Sequence, residues 1–271
     1  MFAHQVIEDL SGVEYVEEEF NKMIPSLISD IKSAPKFHLG QTWDINYPLR
    51  NRTTLWTDAD LRLPYDCCYF DMFATFGKCA ALVAKTGTRE LPVWEIAMFF
   101  HLSRFSRWSL FPYRLSVKDP SAIGECTIYS TPSRLDAMYD VIVCKIRNVI
   151  ATALTSGIVL LNCKNIVTET ILPPEALNKK RRRSGKQELL SYHVLNVTVP
   201  SSKHGYRGAA EQPSHNRVHL CRGHFKEYTA AHPLMGRLVG RYWWQPHVRG
   251  QNRQGVVMKD YKVTTQAGAQ A

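Results

Sequence analysis

Apolar residues recur at helical spacing near the start of the chain. Ile7, Leu10, Val13, Val16, Phe20, Met23 and Ile24 form one stripe, and Glu14, Glu17, Glu18 and Glu19 fall on the wet side. This spacing predicts a helix over 4–33. Residues 34–65 are rich in Pro, Asn, Asp and Thr and read as an irregular connection. Two strand-like runs follow, Asp66 to Ala74 and Lys78 to Lys85, with Thr75-Phe76-Gly77 between them as a hairpin turn. Glu95 to Leu102 and Leu110 to Val117 read as two more strands. Phe111-Pro112 predicts an edge or a bulge in the second, because proline cannot donate to a ladder.

The broadest helical face lies over Ser133 to Ala153. Leu135, Met138, Val141, Ile142, Val143, Ile146, Val149 and Ile150 line it. Ser133 is its N-cap, with Asp136 in the third position. Ile158 to Cys163 reads either as a buried strand or as the end of this helix, since periodicity alone does not separate the two. Asn165 to Ile171 alternates loosely up to Leu172-Pro173-Pro174, and Pro174 to Asn178 opens another helix. Further on, Tyr192 to Val199, Arg217 to Tyr228, Leu238 to Val248 and Val256 to Val263 read as strands, with a polar loop over Pro200 to Asn216. The tail, 264–271, is poor in hydrophobes and reads as disordered.

The class expected is α+β: an N-terminal helix, mixed strands around a long central helix, and a basic, antiparallel, β-rich C-terminal part. Pro173-Pro174 is the boundary candidate, giving a mixed part over 1–172 and a basic part over 173–263. A single intimate α+β protein fits the same pattern.

Composition narrows the class. With 45% hydrophobic and 21% charged residues among 271, the chain is an ordinary folded protein; extensive disorder, collagen and coiled coil are excluded. Charge is distributed unevenly. Residues 1–170 hold 17 Lys/Arg against 19 Asp/Glu, and residues 171–271 hold 17 against 5. The whole excess of +10 therefore sits in the last hundred residues, which points to a polyanionic partner, nucleic acid before anionic lipid. The seven cysteines (Cys67, Cys68, Cys79, Cys126, Cys144, Cys163 and Cys221) are odd in number and lack a C-x-x-C. They read as reduced thiols in a cytoplasmic protein. The start of the chain carries no secretory pattern, and the longest apolar stretch, Val149 to Leu161, falls short of the ~18–20 residues of a membrane span.

Seven of the ten histidines fall between 193 and 247, among Tyr206, Tyr228, Tyr242, Trp243 and Trp244. Two pieces are densest: Arg222-Gly223-His224-Phe225-Lys226-Glu227-Tyr228, and Tyr242 to Gly250. Period-two geometry puts Arg222, His224, Lys226 and Tyr228 on one side of the first strand. It puts Arg241, Trp243, Gln245, His247 and Arg249 on one side of the second. Antiparallel pairing with these faces together would present imidazoles, cations and rings on one surface. Such a surface binds single-stranded nucleic acid. It also carries what metal-independent scission of a phosphodiester needs: His224 and His247 for proton transfer with Tyr228 beside them, and Arg222, Lys226 and Arg249 for the developing charge. The basic run Lys179, Lys180, Arg181, Arg182, Arg183 to Lys186 reads as a track for phosphates. It reads equally as a solvated helix end whose cations face the C-terminal dipole, capped by Gly185. His219-x-Cys221-x-x-His224 offers metal-ligand types, but on a strand His224 points away from the other two. No phosphate-loop, nucleophile-elbow, zinc-protease or dinucleotide motif occurs, and Asp58-Ala59-Asp60 reads as a polar loop. No metal or cofactor is called for.

Leu161-Asn162-Cys163-Lys164-Asn165, Asn178 to Lys186, Arg222-Gly223-His224-Phe225-Lys226-x-Tyr228, and Tyr242-Trp243-Trp244 to Arg249-Gly250 resemble pieces of a group of proteins encoded by phages, prophages and plasmids. The resemblance runs over 158–263. It implies a mobile-element setting and brings with it no activity, fold or catalytic assignment. Three functions fit: a nucleic-acid-binding protein, an endoribonuclease working through His224 and His247, and a non-enzymatic inhibitor of a host protein in which the acidic N-terminal helix takes part.

Overall fold

The computed structural model describes residues 1–12, 18–40, 61–74, 77–87, 92–101, 107–117, 127–129, 149–150, 153–198, 217–221, 223–244, 247–249 and 251–256. The fold is α+β. The chain divides into two compact units, Met1–Val199 and Pro200–Ala271. Pro173-Pro174, the boundary candidate, lies inside the first unit, between two elements of it. The tail 264–271 and most of the expected helix Ser133 to Ala153 lie outside the described residues.

The first unit is built on an eight-stranded sheet. Its strands are β1 (Lys36–His38), β2 (Cys67–Ala74), β3 (Gly77–Gly87), β4 (Pro92–His101), β5 (Trp108–Val117), β6 (Thr127–Tyr129), β7 (Ile166–Ile171) and β8 (Tyr192–Val197). Their order is β6-β5-β4-β3-β2-β1-β8-β7. β2 to β6 form an antiparallel meander, and β1 is parallel to both neighbours, β2 and β8. The segment read as an irregular connection thus contains the strand that joins the meander to the β8–β7 pair. Three residues after a proline carry too short a period to be seen, and both of their partners are distant in sequence. β2 and β3 pair antiparallel as expected, with Ala74 opposite Gly77. Pro112 lies in a bulge, not at an edge: Ala97 pairs with Arg114 while Phe99 pairs with Leu110.

The expected N-terminal helix is two helices, α1 (Ala3–Ser11) and α2 (Glu18–Ser33). α1 ends at Gly12, whose N–H donates to the Asp9 carbonyl and whose freedom weakens a helix interior. Ala3, Val6, Ile7 and Leu10 of α1 are buried, as are Ile24, Leu27 and Ile31 of α2. They pack on the face of the sheet that carries Tyr69, Ala80, Leu82, Ala97, Phe99, Trp108 and Leu110. Each large apolar side chain buried here contributes roughly 1.5–3 kcal/mol. α1 is also bolted to β5: Asp9 Oδ2 accepts from the Trp108 N–H at 2.8 Å, and Gln5 Oε1 from its indole N–H at 3.3 Å.

The other face carries Phe70, Met72, Val83, Ile96, Met98 and Phe111, all buried. Helical residues at 149–150 and 153–161 form α3, buried throughout 153–160. Ile158 to Leu161 is therefore the end of the helix rather than a strand. A Cβ at Gly157 would press on the Leu39 side chain, so α3 passes close over the residue that follows β1. α4 (Glu175–Arg183) follows β7, the edge strand.

One polar inclusion sits beneath α1. Asp71 is fully buried and its Oδ2 accepts from the Phe2 N–H at 2.9 Å. The Tyr69 hydroxyl and His38 Nδ1 are buried in the same inclusion, with the hydroxyl beside the carboxylate. Burial lifts the Asp71 carboxyl to about 6, against the pull of the Phe2 N–H, the Met1 amine, Tyr69 and Lys36. Lys36, also buried, donates to the carbonyls of Lys32 and Ala34 at 2.9 and 2.6 Å and so closes the end of α2. Burial lowers its ammonium to about 8.

In the second unit, β9 (Arg217–Cys221) and β10 (His224–Tyr228) fall in the first strand expected there, β11 (Gly240–Trp244) and β12 (His247–Arg249) in the second, and β13 (Gln251–Val256) follows; all but the first residue of the expected strand Val256 to Val263 lies outside the described residues. β10 pairs with β11 and β12 with β9, both antiparallel, while β13 is parallel to β9.

Candidate nucleic-acid interface

The β10–β11 ribbon has a definite register: His224 opposite Trp244, Phe225 opposite Trp243, Lys226 opposite Tyr242, Glu227 opposite Arg241, and Tyr228 opposite Gly240. Directly opposed residues share a face. His224, Lys226 and Tyr228 therefore share theirs with Tyr242 and Trp244. Period-two spacing alone sets them beside Arg241 and Trp243, and the register reverses that. The connection 229–239 is too long to fix the register, and a slip of one residue exchanges the faces.

The consequences differ for each residue. Trp243 is buried and its ring packs on Phe225, centroids 4.7 Å apart, so it holds the ribbon together. Arg241 is mostly covered and its guanidinium meets Glu227 at 3.1 Å. On the opposite face His224 and Lys226 are exposed, and Tyr228 and Trp244 are half-buried. Lys226 Nζ stands 4.9 Å from the Tyr228 ring centroid, and the Tyr228 and Tyr242 rings meet edge to face at 5.7 Å. Trp244 Nε1 is buried without an acceptor. Tyr242 and Trp244 are the members that sequence reasoning assigned to the wrong side.

His247 pairs with Cys221 and Arg249 with His219. His224, opposite Trp244, and His247, opposite Cys221, thus fall on different rungs. Arg222 lies outside the described residues. Among those described, no group of three or more His, Cys, Asp or Glu is placed to hold a metal ion.

In the first unit, the basic run forms the second half of α4 and its cap. Arg181 points inward: its guanidinium donates to Glu8 Oε1 at 2.8 Å and to the Gln187 carbonyl at 2.6 Å. Glu8 Oε1 also accepts from the Gln187 N–H, so Arg181 ties α4 to α1 rather than offering itself to a phosphate. Arg182 faces Glu188 at 3.4 Å. Lys180, Arg183 and Lys186 are exposed. Gly185 closes the helix at φ 66°, with Lys186 N–H reaching the Arg181 carbonyl. The helix-end reading of this run accounts for its geometry.

Among the described residues, Cys67, Cys68, Cys79 and Cys163 form no disulfide. Burial pushes the Cys68 thiol up to about 12 and the Cys79 thiol higher still, so these thiols are inert. No helix among the described residues is long and apolar enough to cross a membrane. No family model, curated protein or solved structure matches the chain.

Proposed function

We propose that this protein binds single-stranded nucleic acid through the His224–Lys226–Tyr228 face of the β10–β11 ribbon. The observation that carries the reading is the company these side chains keep. An exposed imidazole and an exposed ammonium stand beside the half-buried rings of Tyr228 and Trp244 on one side of a two-stranded sheet. Cations track the phosphates, and ring faces stack the bases whatever their identity. The unit that bears the ribbon holds 11 Lys/Arg against 3 Asp/Glu over 200–271, a balance of +8. A mobile-element protein working in the reducing cytoplasm of its host is the setting that fits the sequence resemblance and the free thiols. Binding without scission is the form proposed, since the described strands set His224 and His247 on different rungs.

The test uses the purified full chain and fluorescence anisotropy with labelled single-stranded RNA and DNA. Both probes are expected to bind at low salt. His224→Ala with Lys226→Ala should weaken binding by about tenfold or more. Arg241→Ala, on the other face, should change it far less. Absence of binding to both probes, or a double variant that binds like the parent, overturns the proposal; a stable host-protein complex that survives nuclease in the same preparation would then take its place.

A further inference from the structure

The first unit contains a pocket of about 250 Å³ that belongs to none of these features. It lies on the α3 face of the sheet, between the end of that helix, the segment 62–65, and strands β1, β8 and β7. Phe37, Tyr65, His193, Arg62, Asn162 and Thr168 line it, and aliphatic side chains complete the wall.

Its floor is a ladder of rings. Phe70, Phe37 and His193 are cross-strand neighbours on β2, β1 and β8. Phe37 stacks on Phe70 at 5.6 Å and 26°, and on His193 at 5.0 Å and 29°. Tyr65 lies 6.4 Å from Phe37 with its plane tilted by 31°. The Tyr65 and His193 rings therefore lean on Phe37 at similar angles within one pocket. Tyr65 is 53% exposed, so its outer side is open to a ligand.

The polar groups are few and differentiated. Thr170 Oγ1 holds His193 Nδ1 at 3.0 Å and fixes the ring. Asn162 Nδ2 spends its donors on the carbonyls of Arg62 and Ile158, both at 2.9 Å, which leaves Oδ1 to accept. Arg62 is exposed and supplies a guanidinium at the rim. A ligand matched to this set is flat, apolar on its faces, carries an edge N–H for Asn162 Oδ1, and bears an anion for Arg62.

We infer that this pocket binds a nucleotide, its base against the Tyr65 and His193 rings and its phosphate on Arg62. The volume falls below the ~300–1,000 Å³ of drug-sized sites and admits one base with its sugar rather than two. The source of the nucleotide is either a free monophosphate or an unpaired residue of a single strand, and the chemistry is the same. This site stands whether or not the ribbon of the second unit binds nucleic acid.

Calorimetry on the full chain with the four nucleoside monophosphates, the matching nucleosides and an eight-residue RNA tests it. At least one monophosphate should bind. Tyr65→Ala should weaken it by about tenfold. Arg62→Gln should weaken the monophosphate by a similar factor while leaving the nucleoside unchanged. His224→Ala with Lys226→Ala should leave the monophosphate unaffected, which separates this site from the ribbon. Displacement of the monophosphate by the RNA assigns the pocket to a strand, and its absence assigns it to a free nucleotide. No monophosphate binding at millimolar concentration, or binding unchanged in folded Tyr65→Ala and Arg62→Gln, overturns the inference.

Discussion

The sheet of the first unit and the ribbon of the second place their side chains by different rules. In the sheet, apolar residues fill both faces of β2, β3 and β4, and helices lie against both. A slip there would exchange two fitted layers at once and carry the buried Asp71 away from the Phe2 N–H that it accepts. In the ribbon each face is partly wet, and the two faces differ little in apolar content. There the register depends on particular contacts, Phe225 with Trp243 and Glu227 with Arg241. A sheet with two dry faces is specified by its pattern, whereas a half-wet ribbon is specified by its pairs.

That contrast is best broken at Trp243. Trp243→Ala should cost about 3–5 kcal/mol, the usual range for deleting a buried indole, and the loss should be local. Hydrogen exchange should lose protection in β10 and β11 and keep it in β2 to β4. Unchanged protection in the ribbon would mean that the Phe225 contact does not set the register.

The next effect belongs to the sheet. Asp71 is held at about 6 by burial, so the folded state keeps a proton that the unfolded chain releases near 3.8. Its stabilising contribution is complete below the lower value and is lost as pH rises through the higher one. Urea midpoints of the parent and Asp71→Asn, compared from pH 4 to pH 7.5, should diverge by on the order of 2–3 kcal/mol. Taking the difference removes the background from His38, which burial lowers. Parallel profiles would show that Asp71 does not titrate in this range.

Gly157→Ala comes third. Its new methyl would press on Leu39 and should cost roughly 1–3 kcal/mol, partly offset by better helix propensity. Leu39→Val in the same chain should recover part of that loss, whereas simple additivity would argue against a helix–sheet contact at this point. The smallest change is at the ribbon tip, where Met235 takes φ 53°. Met235→Gly should raise the midpoint by the equivalent of about 1 kcal/mol or less, since glycine adopts that conformation freely but loses more entropy on folding.

Much of the first unit was legible in the sequence, and the reason is visible in particular residues. The hairpin at Gly77, the strands around Ile96 and Leu110, and the helix start at Pro174 all follow local chemistry that acts wherever it occurs. β1 was hidden because Lys36, Phe37 and His38 form a strand only through partners more than thirty residues away on one side and over a hundred on the other. The pocket was hidden for the same reason: Phe37, Tyr65, Asn162 and His193 meet only after the sheet assembles. In the ribbon the period-two grouping of the candidate residues was not the one the register makes. Composition identifies a histidine, a lysine and an indole as useful; it does not say whether Trp243 or Trp244 stands beside Lys226. Arg181 makes the point again, a cation in a basic run that turns out to be a tether to Glu8.

The salt dependence of single-strand binding tests the central claim most directly. Log affinity plotted against log salt for the parent should fall in a straight line, and Lys226→Ala should flatten that line by about 0.7, the contribution of one phosphate contact on a single strand. An unaltered slope in Lys226→Ala, or a parent protein that binds no single strand at low salt, contradicts the account.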